Sequence, residues 1–164
     1  MSAKRWSVVA LSDVHKRIAI DSNVLIYLLE SPGPLAEAAA EIVDGIENGS
    51  MSGVMSSIAT VEILTGPARA GDGPGFESAA EMLRDLPIRV VPLDEAIAED
   101  AAWVRGTTSV GLEDAVHLAS ARSAGATAFV TNDRLVRSIP RLEVVYLDEI
   151  GLGGARPAAR NGRP

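Results

Sequence analysis

Short apolar runs that alternate with helix-forming stretches constrain this 164-residue chain more than any other feature. Ile18-Ala19-Ile20 is apolar with β-branched ends and reads as a buried strand. Further strands are expected over 53–57, 88–91, 128–131 and 143–147. A helix begins at Ser22 as N-cap, with Val24, Leu25, Leu28 and Leu29 on one face, and ends near Glu30 before the Ser31-Pro32-Gly33-Pro34 break. Others are expected over 35–47, closed by Asn48-Gly49, and over 58–69, 76–86, 94–105 behind an Asp94 cap, and 112–124. A short helix is expected over 132–139, stopped by Pro140. Residues 71–75 and 106–111 read as loops.

Strand and helix alternate five times, which implies a five-stranded parallel sheet covered on both faces, an α/β fold. Aromatic residues make up only 4%, so Ala, Val, Leu and Ile must fill the core. The expected organisation is a single domain over 17–150. An irregular extension (1–16) precedes it, and a Gly-, Pro-, Ala- and Arg-rich tail (151–164), expected to be disordered, follows. There is no Cys, which excludes disulfides, thiolate metal sites and a Cys nucleophile, and is compatible with a reducing cytoplasm. No apolar run reaches membrane-spanning length, and the run after Lys4 and Arg5 is too short for a signal-peptide core. The net charge of −7 argues, by itself, against a nucleic-acid binder.

The placement of four acids changes that balance. Asp21 follows the first strand, Glu62 lies in the first turns of the helix after the second, and Asp114 opens the helix before the fourth. Asp133 follows the fourth strand directly. In a parallel sheet, helix N-termini share an edge with the carboxyl ends of the strands, so all four are expected at one edge, where such sheets bind ligands. Taken singly, each acid has an ordinary reading as a cap or a dipole partner. Spacing alone does not choose between Asp114 and its neighbour Glu113. Four clustered carboxylates repel, and a divalent cation relieves that repulsion. Hard oxygen ligands suit Mg²⁺ or Mn²⁺, which can activate water and clamp a phosphodiester.

The segments Ile20-Asp21-Ser22-Asn23-Val24-Leu25-Ile26, Ser57-Ile58-Ala59-Thr60-Val61-Glu62-Ile63, Leu112-Glu113-Asp114-Ala115-Val116-His117-Leu118-Ala119 and Phe129-Val130-Thr131-Asn132-Asp133 occur in that order. In this ordered set the chain resembles the PIN-domain ribonucleases, and within them the VapC-type toxins of bacterial toxin–antitoxin pairs. The resemblance implies a PIN-like α/β/α sandwich and endonucleolytic cleavage of RNA. It implies Mg²⁺ or Mn²⁺ held by Asp21, Glu62, Asp114 and Asp133, and it selects Asp114 over Glu113. It also implies polar support from Asn23 and Thr131, a homodimer, and inhibition by a cognate antitoxin protein. Two features depart from the family pattern: about twenty residues precede the first acid, and the tail is Gly-rich.

Arg134 and Arg137 follow Asp133 and are candidate contacts for RNA phosphates, with a solvated helix face as the plain alternative. His117, one turn after Asp114, has the spacing of a ligand or a general base, with a packed or surface helix residue as the preferred reading. His15 reads as incidental, Tyr27 and Trp103 as packing or interface residues, and Asp148 and Glu149 as capping or solvated charges. A receiver domain or a haloacid-dehalogenase-like phosphatase would need a Lys after a later strand. The only lysines are Lys4 and Lys16, and Asn23 stands where the phosphatase wants its second Asp. The other rival is a PIN-like module without activity, used for protein contacts, and retention of all four acids speaks against it.

Overall fold

The computed structural model describes residues 6–30 and 32–151. Five parallel strands form one sheet: β1 (Arg17–Ile20), β2 (Ser52–Ser56), β3 (Ile88–Val91), β4 (Ala128–Thr131) and β5 (Glu143–Tyr146), in the order β3-β2-β1-β4-β5. This is the parallel α/β sheet that the sequence implies. Helices α2 (Ser22–Glu30) and α3 (Pro34–Glu47) connect β1 to β2, while α4 (Ser57–Arg69) and α5 (Gly73–Asp85) connect β2 to β3. The chain then crosses through α6 (Glu95–Thr107) and α7 (Leu112–Ser123) to β4, on the far side of β1. The strand order therefore reverses between β1 and β4, the place where open α/β sheets leave a crevice.

Side-chain alternation sorts the core into two layers. Ile18, Ile20, Ala128 and Val130 face α2, α3 and α4, packing with Leu25, Ile42 and Ile63. Ala19, Val54 and Phe129 face the opposite layer, formed by α6 and α7 with Ile97, Val104, Leu118 and Ala119. Most of these side chains are small or aliphatic, and each full burial of a larger one contributes about 1.5–3 kcal/mol. Among the described residues no helix is long and apolar enough to cross a membrane.

Four local expectations are corrected. Residues 132–139 form no helix. Thr131 Oγ1 accepts from the Asp133 amide at 3.0 Å, and Asp133 Oδ1 accepts from the Leu135 amide at 2.8 Å. Such local side-chain bonds offer the backbone an alternative to the helix. The β4–β5 connection consequently lacks a helix. The loop expected at 71–75 is partly helical, because Asp72 caps the Gly75 amide at 2.9 Å and Pro74 fits the first turn of α5. Ser22 lies inside α2 rather than capping it, and the Val24 amide bonds the Asp21 carbonyl at 3.1 Å.

The fourth correction concerns the extension. Residues 8–14 form helix α1 (Val8–Val14), capped by Ser7, whose hydroxyl accepts from Ala10 N. Leu11 is fully buried, and Trp6 makes a parallel bridge to Ile150. His15 is buried too, with Nδ1 2.9 Å from Thr127 Oγ1 and Nε2 3.2 Å from Glu143 Oε2, so it ties this segment to the start of β4 and β5. The tail expected over 151–164 lies outside the described residues apart from Gly151.

Candidate active site

Each acid reaches the site through the element that carries it. Asp21 is the first residue past β1, and its amide bonds Val130 O on β4 at 2.9 Å, which fixes it at the reversal point of the sheet. It is 5% exposed, an unusual burial for a carboxylate. Its oxygens are held accordingly. Thr131 Oγ1 donates to Asp21 Oδ2 at 2.6 Å, Asn23 Nδ2 donates to the same oxygen at 3.1 Å, and Ser22 Oγ donates to Oδ1 at 3.3 Å. Asn23 also bonds Thr131 Oγ1 at 3.2 Å and accepts from the Asn132 amide at 3.3 Å. Asn23 and Thr131 therefore both touch the buried acid and lock it to β4. Tyr27 Oη accepts from Asn132 Nδ2 at 3.4 Å, so Tyr27 borders this network instead of standing apart.

Glu62 comes from the second turn of α4, and Asp114 from the first turn of α7. The residue that sequence reasoning undervalued is His117, three positions after Asp114 on the same helix face. It is 2% exposed and stacks on Phe129 with ring centroids 6.3 Å apart. Its Nε2 lies 2.9 Å from Glu62 Oε2 and 3.8 Å from Asp21 Oδ1. The signal was present as the Asp114–His117 spacing, but a helical spacing does not say whether the face points to a core or to an acidic cluster.

The charges answer one another. Burial pushes the Asp21 carboxyl up, and the nearby Glu62 charge adds to this; His117 and the Thr131 hydroxyl act against it without cancelling it. Asp114 is also raised, first by burial and then by the charges of Asp21 and Asp133. Glu62 is pushed up by burial, yet hydrogen bonds from His117 and Ser22 and the His117 charge leave it below its ordinary value. His117 is depressed by burial, but the bond to Glu62 and the Asp21, Glu62 and Asp114 charges lift it above the ordinary imidazole value.

The four acids thus share one electrostatic neighbourhood. Within it, one ligand atom each from Asp21, Glu62 and His117 lies within 4.8 Å of the others. Asp114 belongs to it through charge, and Asp133 through its effect on Asp114. A largely oxygen donor set, with burial raising Asp21 and Asp114, fits a hard divalent cation, which would offset the crowding of negative charge.

The two candidate phosphate contacts differ. Arg134 pairs with Asp148 at 2.5 Å and Glu149 at 3.1 Å, and lies 4.0 Å over the Tyr146 ring. Asp148 and Glu149 therefore serve as its counter-charges rather than as isolated caps. Arg137 is exposed and donates to Tyr146 Oη at 3.1 Å. Trp103 is 70% exposed on α6 and packs into neither core layer.

A family model described as the PIN domain matches residues 18–142. No curated protein sequence matches the chain. Among solved structures, VapBC2 from Rickettsia felis, bound to a DNA fragment from its promoter, is similar with a TM-score of 0.65 and 15% identity, covering 79% of this chain and 98% of that one. A toxin–antitoxin complex from Klebsiella pneumoniae gives a TM-score of 0.60 and 20% identity, covering 76% and 94%. The sarcin–ricin loop cleaving toxin VapC20 from Mycobacterium tuberculosis gives 0.54 and 16%, covering 68% and 86%. At these identities the likeness establishes a shared fold.

Proposed function

The chain belongs to the PIN-domain family, since the family match spans most of its length, and from that premise we propose that it is a metal-dependent endoribonuclease, the toxin of a type II toxin–antitoxin pair. The observation that carries the reading is the buried Asp21 carboxylate, placed at the reversal point of the sheet and surrounded by the charges of Glu62, Asp114 and His117. A structural cap would be satisfied by solvent and by one helix amide. Asp21 is instead removed from water and kept among other acids, a costly arrangement that a cation repays.

In this reading Asp21, Glu62, Asp114 and Asp133 hold Mg²⁺ or Mn²⁺. A bound ion would supply Lewis-acid polarisation of a phosphodiester and would make water a competent nucleophile at neutral pH. The chain's own residues set up that chemistry. Thr131 and Asn23 fix the orientation of Asp21 through Oδ2, leaving Oδ1 turned toward Ser22 and His117. Their test as positioning groups is metal affinity, which falls about 10–100-fold when such supports are lost. Arg137 has donors free to meet a phosphate, whereas Arg134 would have to exchange its acidic partners for one.

Partners follow from the same surface. Val61, Leu112 and Leu135 are 61%, 60% and 75% exposed and lie within two residues of Glu62, Asp114 and Asp133. Apolar side chains beside an acidic site suit a protein that covers it, and a cognate antitoxin with basic residues is the proposed occupant. A homodimer and a cytoplasmic location, where the RNA substrates are, belong to the same proposal. The test is cleavage of mixed RNA by purified, antitoxin-free protein with Mg²⁺ or Mn²⁺, with EDTA, and with the Asp21→Asn variant. Cutting that needs metal and Asp21 supports the reading. Absence of cutting by a folded protein across several RNAs would favour a protein-binding module, and cutting that survives the substitution would indicate a contaminant.

A further inference from the structure

The acidic cluster contains a nitrogen that its carboxylate reading does not use. His117 Nε2 is buried, points between two carboxylates, and lies 2.9 Å from Glu62 Oε2 and 3.8 Å from Asp21 Oδ1. For a six-coordinate cation with bonds of about 2.1 Å, adjacent donor atoms stand about 3 Å apart and opposite ones about 4.2 Å apart. The two separations from Nε2, 2.9 Å to Glu62 and 3.8 Å to Asp21, fall in that range, and one ligand atom from each of the three residues lies within 4.8 Å of the others. The ring's other nitrogen, Nδ1, is buried and has no hydrogen-bond partner. In the metal-free site Nε2 faces the Glu62 carboxylate in a hydrogen bond, and a cation taking the Nε2 lone pair would displace that proton to solvent and leave a neutral ring protonated at Nδ1. The ring plane is held by stacking on Phe129 and by the surrounding helix, so little ordering is left for the ion to impose.

We propose that His117 is a direct ligand, through Nε2, of the divalent ion at this site, together with Asp21 and Glu62, and that this nitrogen makes the site prefer Mn²⁺-type cations to Mg²⁺. The inference rests on the metal-site reading above and deepens it. Mg²⁺ is bound almost entirely through oxygen, whereas first-row transition ions accept imidazole readily, in an order that favours softer donors. An all-carboxylate site has no such preference built in. One buried imidazole among carboxylates supplies it.

The probe is Mn²⁺ alone, bound to the full chain, and the readout is the nitrogen coupling in pulsed electron paramagnetic resonance of the bound ion. Growth with ¹⁵N-labelled histidine should convert a ¹⁴N coupling into a ¹⁵N one without any substitution, so the result does not depend on a variant that folds. His117→Gln should remove the coupling and lower the Mn²⁺-over-Mg²⁺ affinity ratio by about tenfold. His15 is held by Thr127 and Glu143, and His15→Gln should leave the coupling intact. Mn²⁺ that binds, is lost in Asp21→Asn and shows no nitrogen coupling would overturn this inference and leave the carboxylate site standing. Binding that is absent, or indifferent to Asp21→Asn, would overturn both.

Discussion

His117 Nε2 and Glu62 Oε2 lie 2.9 Å apart, joining α7 to α4 across the acidic cluster. In the metal-free protein this bond has a pH window. Glu62 lies below its ordinary 4.5, so its contribution is present above 4.5 and is lost as pH falls through its folded value. His117 lies above its ordinary 6.5, so its contribution is full below 6.5 and is lost as pH rises through its folded value. Between those limits both are charged. With EDTA present, Glu62→Gln should cost about 1–2 kcal/mol inside the window and less on either side. Urea unfolding of both proteins across pH measures it, and a pH-independent difference would refute the pairing.

Asp21→Asn separates stability from function. Removing a charge that burial already disfavours should leave the metal-free melting temperature unchanged or higher, because Thr131 and Asn23 retain a polar partner. Metal-dependent cleavage should fall by at least about a hundredfold, as when a major electrostatic element of an active site is removed. Parallel calorimetry and cleavage assays check both halves. A large fall in melting temperature would mean that Asp21 is chiefly structural.

The sheet and the edge at which the acids gather were legible from the alternation of strands and helices. β1 and β4 are short apolar runs with polar residues after them, and an acid following such a run must lie at the carboxyl edge. His117 was not legible, because its meaning depends on α4 crossing its path, a contact between residues 55 positions apart. The helix expected after Asp133 failed for a local reason. Thr131 and Asp133 offer the backbone side-chain acceptors that a pattern of apolar spacing does not register. Helix α1 was overlooked because it is short and buries chiefly Leu11, too little periodicity to announce a helix.

That segment also yields a prediction. Leu11 is fully buried and joins the same core layer as Ile18 and Val145. Leu11→Ala should destabilise the domain by about 2–5 kcal/mol, and a chain starting at residue 17 should be destabilised further through loss of Trp6. Denaturant midpoints decide the matter. A truncated protein with wild-type stability would show the segment to be dispensable.

The arginines after Asp133 should behave unequally with RNA. Arg137→Ala should weaken binding to single-stranded RNA and reduce the slope of log affinity against log salt by about 0.7, the release expected for one phosphate contact. Arg134→Ala should change the slope less, because Asp148 and Glu149 already neutralise that side chain. Titrations with the Asp21→Asn protein avoid cleavage during the measurement. Equal effects from the two substitutions would refute the ranking.

Cation binding and pH should be linked through Asp21 and Asp114. Both are raised above their ordinary 3.8, first by burial. Below 3.8 each is protonated in the folded and unfolded chain alike, and its favourable contribution is fully present. As pH rises through the folded values, that contribution is lost, because the folded metal-free site must now hold charges that the unfolded chain leaves in water. A cation reverses the loss, since it binds the ionised carboxylates and competes with their protons. The rise in melting temperature on adding Mg²⁺ or Mn²⁺ should therefore be near zero close to pH 3.8 and grow toward neutrality. At a cation concentration of about a hundred times Kd the stabilisation is about 2.7 kcal/mol. Asp21→Asn should flatten the profile. A shift of equal size at every pH, or one retained in the variant, would place the bound ion somewhere other than this cluster.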